Sequence, residues 1–392
     1  MLKQIIAVTG MNLRNLSQRL GVSLVIVIGI AVTVAVLVSV LAMSAGFNKT
    51  LANTGRPDRA IVLRGGSEAE LSSTISRENT QTIIDAPGVR RDADGKPIAS
   101  AEMVAIINLP LKTSGADANV TFRGVGGKLQ VLRPELHIIE GRMFRPALRE
   151  VIVGRAAQAQ FKGLGLGSRI DMRGSQWTVV GVFESGGDAH ESELMADIET
   201  ALSAYRRNLF QSVTVMLESA DTFKAYKDAL TTDPTLSVDV KREPQYYAAQ
   251  SKRLTELLNF LATWVGGIMA LGAVFGTLNT MYSAVSSRQM EIATLRAIGF
   301  GATPVIVSVF VEALLLSLIG SLLGGLLAWL FFNGNVVNTL GSNFSQVVFR
   351  LTVTPALLGS GVSLALVVGL FGGLFPAIRA ARLPIVEALR AQ

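Results

Sequence analysis

The chain has 392 residues and no cysteine, and it is 49% hydrophobic but only 17% charged, with a formal net charge of +7 and a mean hydropathy of +0.44. This composition excludes a disordered chain and is too apolar for an ordinary soluble enzyme. The absence of cysteine excludes disulfides, thiol nucleophiles and thiolate metal sites.

The charged residues are concentrated in one segment. Residues 46–253 hold 27 of the 36 Lys and Arg and 25 of the 29 Asp and Glu. This block is nearly balanced in charge, and the basic surplus flanks apolar runs instead. The high pI therefore does not indicate nucleic-acid binding.

Four apolar segments are long enough to cross a membrane, which takes about 20 residues of helix. After an N-terminal segment at 1–20, we predict spans at 21–45, 254–282, 304–332 and 351–378. The first is longer than the apolar core of about 7–15 residues in a signal peptide. We interpret it as an uncleaved anchor.

Lys and Arg beside the spans predict the orientation. They lie mostly on one side of the four-span layout, and Arg350 is alone in the short loop on the other side. By the positive-inside rule, the N-terminal segment, the loop 283–303 and the tail 379–392 are cytoplasmic. The segments 46–253 and 333–350 are then outside the cytoplasm.

The spans contain three pairs of glycines spaced four residues apart, which allow close helix approach. The pairs are Gly272 and Gly276, Gly320 and Gly324, and Gly369 and Gly373. Packing within one chain and dimerisation both explain such pairs, and both alternatives stay open at this point.

The segment 46–253 has the pattern of a mixed α/β domain. Strands are predicted at 60–63, 104–109, 176–183 and 212–217, and helices at 77–85, 155–161 and 221–230. Glycines at 163, 165 and 167 follow a helix and enter a strand, the reverse of a phosphate-binding loop. The length allows two subdomains, but no seam is evident.

Catalytic groups are scarce. The segment 126–129 lacks the leading glycine and the hydroxyl of a Walker-type loop, so we do not expect this chain to bind or hydrolyse ATP. His190 lies among four acidic residues of 188–197, which we interpret as a solvated acidic loop rather than a metal site, because catalytic zinc usually takes three protein ligands. We expect no catalytic residue, cofactor or metal on the chain.

Glu312 is the one ionisable residue deep in a predicted span. A carboxylate inside a membrane is costly and points to a role. Because Glu312 is roughly 12 Å along the helix from Pro304, we expect a structural or coupling contact rather than a proton carrier.

The cytoplasmic loop contains a short predicted helix, with good helix formers before a stop at Gly299. Its apolar residues would dock on a soluble partner, with charged residues around them. The residues of this predicted contact are Arg288, Glu291, Ile292, Leu295, Arg296, Ile298 and Gly299.

Two long motifs resemble the FtsX and MacB type of ABC-transporter permease. They are RQMEIATLRAIGFGATPVIVSVFVEALLLSLIGSLLGG at 288–325 and GLFPAIRAARLPIVEALR at 373–390, which includes Pro376. Residues 140–144 and 151–183 are similar to the periplasmic core domain of that family. The resemblance covers nearly the whole chain.

The resemblance implies an α-helical membrane protein with four transmembrane helices and a large mixed α/β periplasmic domain between helices 1 and 2. Residues 254–392 would form the FtsX-like permease domain in the inner membrane. The permease would form a homodimer and bind a separate cytoplasmic ATPase, which holds ATP and Mg²⁺. The segment 288–299 would couple the ATPase to the outer domain, a mechanism called mechanotransmission.

The cargo stays open. We favour export of a hydrophobic, peptide or lipid-type cargo in a tripartite assembly with a periplasmic adaptor and an outer-membrane channel. The alternatives are a regulator that transports nothing and acts on a partner such as a peptidoglycan hydrolase, or lipoprotein release.

Overall fold

The structure is a computed structural model that describes residues 2–15, 20–340 and 345–382. The chain forms two compact units. The helical unit comprises Met1–Ala45, Glu256–Asn335 and Leu351–Gln392, and the sheet unit comprises Gly46–Thr255 and Val336–Arg350.

The regular elements are numbered in chain order. The helices are α1 (Leu2–Asn15), α2 (Leu20–Ala52), α3 (Arg77–Asp85), α4 (Leu129–Leu132), α5 (Arg155–Gln160), α6 (Ile198–Tyr205), α7 (Phe223–Thr231), α8 (Glu243–Ser286), α9 (Gln289–Ala297), α10 (Ala302–Phe332) and α11 (Pro355–Ala381). The strands are β1 (Arg59–Arg64), β2 (Ala99–Pro110), β3 (Asp117–Val125), β4 (His137–Gly141), β5 (Glu150–Gly154), β6 (Arg169–Met172), β7 (Ser175–Glu184), β8 (Glu193–Asp197), β9 (Ser212–Met216), β10 (Val238–Arg242), β11 (Val336–Leu340) and β12 (Gln346–Arg350).

Four helices of the described chain, α2, α8, α10 and α11, are long and apolar enough to cross a membrane. Their shared core includes Ile30 and Val34 of α2, Ala313 of α10 and Ala365 of α11. The Ser44 hydroxyl of α2 also donates a hydrogen bond to the side chain of Asn259 in α8, at 2.9 Å. The four predicted spans are thus packed helices.

Helix α1 packs against the first half of α10. Val8 is buried, the Asn12 amide donates to the Ser308 hydroxyl, and that hydroxyl lies 3.5 Å from the Val8 carbonyl oxygen. The helix starts with Leu2 and has Arg14 in its last turn, where a cation is favourable to the helix dipole.

The sheet unit is built on one mixed sheet in the order β10-β1-β9-β2-β3-β8-β5-β7-β4, with β6 also paired to β7. The pairs β3–β8 and β5–β7 are parallel. Helices cover the apolar strands, as the alternating sequence pattern predicts. The strands predicted at 60–63, 104–109, 176–183 and 212–217 lie within or nearly within β1, β2, β7 and β9, which confirms the mixed α/β domain.

A seam divides the sheet unit at β2. Its first part, 99–102, pairs with β9, and its second part, 103–110, pairs with β3. One apolar core lies under α3 and α7 and includes Ile83 and Tyr226. A second includes Phe122 and Trp177, under α5 and α6. The sequence did not locate this seam.

A hairpin between α10 and α11 also belongs to the sheet unit. Strands β11 and β12 pair antiparallel, from Val336 opposite Arg350 to Leu340 opposite Gln346. The predicted outer loop 333–350 therefore contains regular structure that the sequence analysis did not anticipate.

Candidate functional site

The predicted coupling segment forms helix α9. Ile292 and Ala293 are buried in the helical unit, whereas Leu295 and Arg296 are half-buried. Met290 is 51% exposed and Ile298 is 68% exposed. Ile292 thus supports α9 from within the protomer, and Leu295 and Ile298 are the predicted anchors with accessible surface.

A buried ion pair fixes the beginning of α9 to α10. The Arg288 Nη2 atom lies 2.8 and 2.7 Å from the two carboxylate oxygens of Glu312, and both side chains are almost fully buried. Arg288 also donates from Nε to the Ala284 carbonyl at the end of α8. Glu312 therefore has the structural contact expected from the sequence.

A second contact fixes the end of α9 to α11. Arg296 donates from Nη1 to the carbonyl oxygen of Ala381, at 2.7 Å. This oxygen belongs to the last turn of α11, where carbonyl groups lack helical partners and favour a cation. Helix α9 is consequently linked to both α10 and α11 by arginine side chains at its two ends.

Gly299 allows the chain to leave α9 sharply. Its φ of 101° lies in the region that residues with a Cβ rarely adopt. The Phe300 amide donates back to the Leu295 carbonyl, which closes the helix end. Glu291 is exposed in the first turn of α9, where an acidic residue is favourable.

The three glycine pairs differ in whether another helix packs on them. A Cβ at Gly320 would lie 2.9 Å from the Val27 carbonyl, and a Cβ at Gly324 would overlap Ala31, so this pair packs on α2. Gly369 and Gly373 pack on Ser317 and Ala313 of α10. A Cβ added to Gly272 or Gly276 of α8 would meet no other helix within 4 Å in the described chain.

Pro376 lies inside α11 and is buried. One turn earlier, Gly372 packs so closely on Thr277 of α8 that a Cβ would approach the Thr277 Cγ2 atom to 2.6 Å. The predicted packing residues of α11 therefore lie on a face covered by α8 and α10.

The sheet unit contains a buried ion network that the sequence analysis missed. Arg123 lies 2.7 Å from carboxylates of Glu70, Glu102 and Glu193. Arg133 binds Glu102 and Glu243. These side chains come from both sides of the seam and from α8. The available signal was charged residues at inward positions of otherwise apolar strands, such as Glu102 in β2 and Arg123 in β3.

Arg59 extends the network on β1. It lies 2.6 Å from Glu243 and 2.5 Å from Glu135. Charges without water cost several kcal/mol each, so such a network requires many well-placed partners. The ion pairs of the network therefore hold the strands and the beginning of α8 in fixed positions relative to one another.

Electrostatics in the network favour the ionised carboxylate of Glu193. Burial alone would raise the pKa of Glu193, but the positive charge of Arg123 and hydrogen bonds with Arg123 and His190 outweigh burial and hold this pKa well below its usual range. Burial lowers the pKa of Arg123, but the carboxylates of Glu193, Glu70 and Glu102 outweigh burial and raise the pKa of its guanidinium. The pair is therefore charged at neutral pH.

The segment around His190 is not a solvated loop, and that expectation was wrong. Asp188, His190, Glu193 and Asp197 are all buried. The His190 ring lies 3.1 Å from Glu193 and 3.3 Å from the Tyr247 hydroxyl. Packing on α8 and on the sheet removes these residues from water, which a local reading of an acidic segment cannot reveal. Within the described ranges, no group of three or more His, Cys, Asp and Glu could hold a metal ion.

Together the fold and these sites define a membrane protein with four apolar helices, an α/β domain between the first two and a short helix linked to the last two. The model of the MacB-like periplasmic core domain matches residues 23–233, and that of the FtsX-like permease C-terminal domain matches residues 264–385. The first match covers more than half of the chain. The chain belongs to this family and is an ABC-transporter permease of the MacB/FtsX type.

Similar proteins carry related names. The chain is 23% identical over 393 residues to the uncharacterized ABC transporter permease YknZ of Bacillus subtilis, covering 94% of each chain. It is 24% identical to the macrolide export ATP-binding/permease protein MacB of Hahella chejuensis, over 84% of this chain and 54% of that protein. It thus spans about half the length of that MacB.

Solved structures with similar regions include the extracellular domain of YknZ, with a TM-score of 0.36 and 18% identity over 47% of this chain and 99% of that chain. The periplasmic region of MacB from Actinobacillus actinomycetemcomitans also has a TM-score of 0.36, with 14% identity over 51% of this chain and 92% of that chain.

Proposed function

We propose that this chain is the membrane subunit of an ATP-driven complex in which a separate cytoplasmic ATPase moves α9 and thereby the extracytoplasmic domain. The ATPase holds the ATP and Mg²⁺. The observation that carries the proposal is the attachment of α9 by Arg288 to Glu312 and by Arg296 to Ala381. A force applied to α9 is passed to α10 and α11 by these contacts.

The contact with the ATPase is formed by the exposed side of α9. Met290, Leu295 and Ile298 supply apolar surface, with Glu291 and Arg296 beside them. A small apolar centre with a charged rim is typical of protein interfaces. Because α9 faces the cytoplasmic ATPase, both termini are cytoplasmic as well, and the chain is an inner-membrane protein.

The cargo is hydrophobic, a peptide or a lipid. The four candidate spans offer little for a hydrophilic conduit, because the carboxylate of Glu312 is neutralised by Arg288. Movement of the outer domain, or mechanotransmission, needs no such conduit. Relatives named for macrolide export and pyoverdine export support an exporter, which acts with a periplasmic adaptor and an outer-membrane channel.

The complex contains two copies of this chain. Of the three glycine pairs, Gly272 and Gly276 form the pair whose added Cβ atoms would meet no other helix of the described protomer within 4 Å. Trp264, Ile268 and Phe275 are exposed on the same helix. A second copy would cover this side of α8 through close backbone packing.

The test is a purification from the native membrane of the tagged chain and of its Ile298→Asp variant, with bound proteins identified by mass spectrometry. We expect an ATPase with Walker motifs to be recovered with the parent chain and lost from the variant, because the new charge lies in the apolar contact. Ile139→Asp is the matched control, since Ile139 is 40% exposed on β4.

The same purification separates the candidate functions. Recovery of an adaptor supports export, whereas recovery of a peptidoglycan hydrolase or a lipoprotein chaperone would replace export by regulation or lipoprotein release. Undiminished ATPase recovery with Ile298→Asp would contradict the assigned role of α9.

A further inference from the structure

A short buried turn in the sheet unit meets segments that are connected along the chain to all four candidate spans. This turn, Ala189–Ser192, is a single 3-10 turn that leads directly into β8. Ala189, His190 and Ser192 are each at most 6% exposed. These four residues form the 189–192 turn.

The first contact involves the segment that follows α2. The Ala189 amide donates to the Thr54 hydroxyl at 3.0 Å, and that hydroxyl donates to the Thr50 carbonyl at 2.9 Å. Thr54 is fully buried, and Thr50 belongs to α2. The hydroxyl therefore joins the last turns of α2 to the 189–192 turn.

The second contact involves α8. The Tyr247 hydroxyl lies 3.3 Å from His190 Nε2, and the two rings pack edge to face with centroids 5.5 Å apart. The other ring nitrogen of His190 faces Glu193, which binds Arg123 of the network. A displacement of Tyr247 would therefore act on His190 and on the first residue of β8.

The third contact involves the hairpin between α10 and α11. The Val348 amide of β12 donates to the Ser192 hydroxyl at 3.0 Å in a buried position. The neighbouring Phe349 packs edge to face on Phe47 of α2, with centroids 5.4 Å apart. The hairpin is thus fixed to the 189–192 turn and to α2.

The 189–192 turn also packs tightly against the sheet and the neighbouring loop. A Cβ on Gly154, at the end of β5, would overlap the Glu191 carbonyl group. The Glu191 carboxylate also accepts the Ser185 and Gly187 amides, at 2.8 and 2.7 Å. Strand β8, which follows the turn, pairs with β3 on one side and β5 on the other.

We propose that the 189–192 turn is the joint that passes movement of the membrane helices to the central strands of the extracytoplasmic sheet, with Thr54, Tyr247 and Ser192 as positioning residues. The proposal rests on the proposed function, because it assumes that ATP moves the helices. The contacts from the α2 side, from α8 and from the hairpin all reach the same four consecutive residues. Because the turn is tightly packed, a movement of these segments should shift β8 rather than rearrange the turn locally.

The test removes the hydroxyl of Ser192 and the two hydroxyls that contact the turn, with substitutions of similar side-chain shape. The joint variant carries Thr54→Val, Ser192→Ala and Tyr247→Phe. The matched control carries Thr80→Val, Ser73→Ala and Tyr226→Phe. These side chains are also buried, and their hydroxyls bond to Ser76, Arg64 and Ile83 away from the turn.

Because the chain has no native cysteine, two dyes can be placed specifically. Lys162→Cys and Lys224→Cys lie on exposed positions in the two halves of the sheet unit. The dye-to-dye energy transfer is measured in the full complex with its ATPase in nanodiscs, before and after ATP with vanadate. Folding of each variant is checked by its melting temperature.

We expect the parent and the control variant to show an ATP-dependent change in energy transfer. The joint variant should lose this change while its complex still hydrolyses ATP. An undiminished change in the joint variant would overturn the joint. If no change occurs in the parent, the proposed function itself fails. If the triple variant melts early, the three single variants replace it, and full movement in all three equally overturns the joint.

Discussion

At the scale of single residues, buried charges acquire their roles from partners that are distant in sequence. Glu312 stands 24 residues from Arg288, and Glu243 stands 110 residues from Arg133. A buried pair contributes little net stability, but its loss leaves an uncompensated charge. Such pairs therefore fix geometry more than they increase the free energy of unfolding.

Glu312→Gln should destabilise the helical unit by roughly 3–5 kcal/mol, because Arg288 would remain charged and buried. The combined change Arg288→Met and Glu312→Met should restore most of this loss, because similar volume is filled without charge. Thermal unfolding of the purified full chain in detergent measures both effects. A single variant as stable as the parent would contradict the ion pair.

At the scale of elements, the same small-residue spacing has two structural outcomes. The glycine pairs of α10 and α11 pack on neighbouring helices of the same protomer, whereas a Cβ added to Gly272 or Gly276 of α8 would meet no other helix within 4 Å in the described chain. The spacing reports that close approach is possible. The arrangement of the helices determines which face is used within the protomer.

Gly324→Leu and Gly276→Leu should therefore behave differently. Gly324→Leu should prevent α2 and α10 from packing and lower the melting temperature and yield. Gly276→Leu should leave the protomer folded and weaken self-association, because the added side chain separates the two copies. Light scattering in detergent and cross-linking in the membrane measure association. Equal loss of folding in both variants would refute the assignment.

At the scale of the whole molecule, the ion network joins both sides of the seam and α8. Its partners are Glu102 at the seam, Arg123 and Glu193 beyond it, and Glu243 on α8. Protonation of one carboxylate should therefore lower the stability of the whole sheet unit. Acid should weaken the sheet unit as a whole rather than one loop.

Acid weakens the folded state through Glu193. The pKa of Glu193 is well below its usual range in the folded protein, and near 4.3 when unfolded, so the unfolded chain binds more protons. The stabilisation is present above about pH 5 and is lost as the pH falls toward the folded pKa.

The melting temperature of the full chain, measured from pH 7 to pH 3, should fall more steeply than that of Glu193→Gln. The variant should melt earlier at pH 7 because Arg123 has lost a partner. Parallel pH profiles for the parent and the variant would show that Glu193 does not carry this dependence.

The sequence by itself determined the spans, the mixed α/β domain and the short helix that ends before Gly299, because apolar length, period and turn residues are local properties. It also selected Glu312 as a residue with a special contact. Only the tertiary structure decided that Arg288 is its partner, which glycine pairs are covered and that His190 is buried. These facts depend on packing between distant segments, and a buried ion network costs more than it gains until every partner is in place.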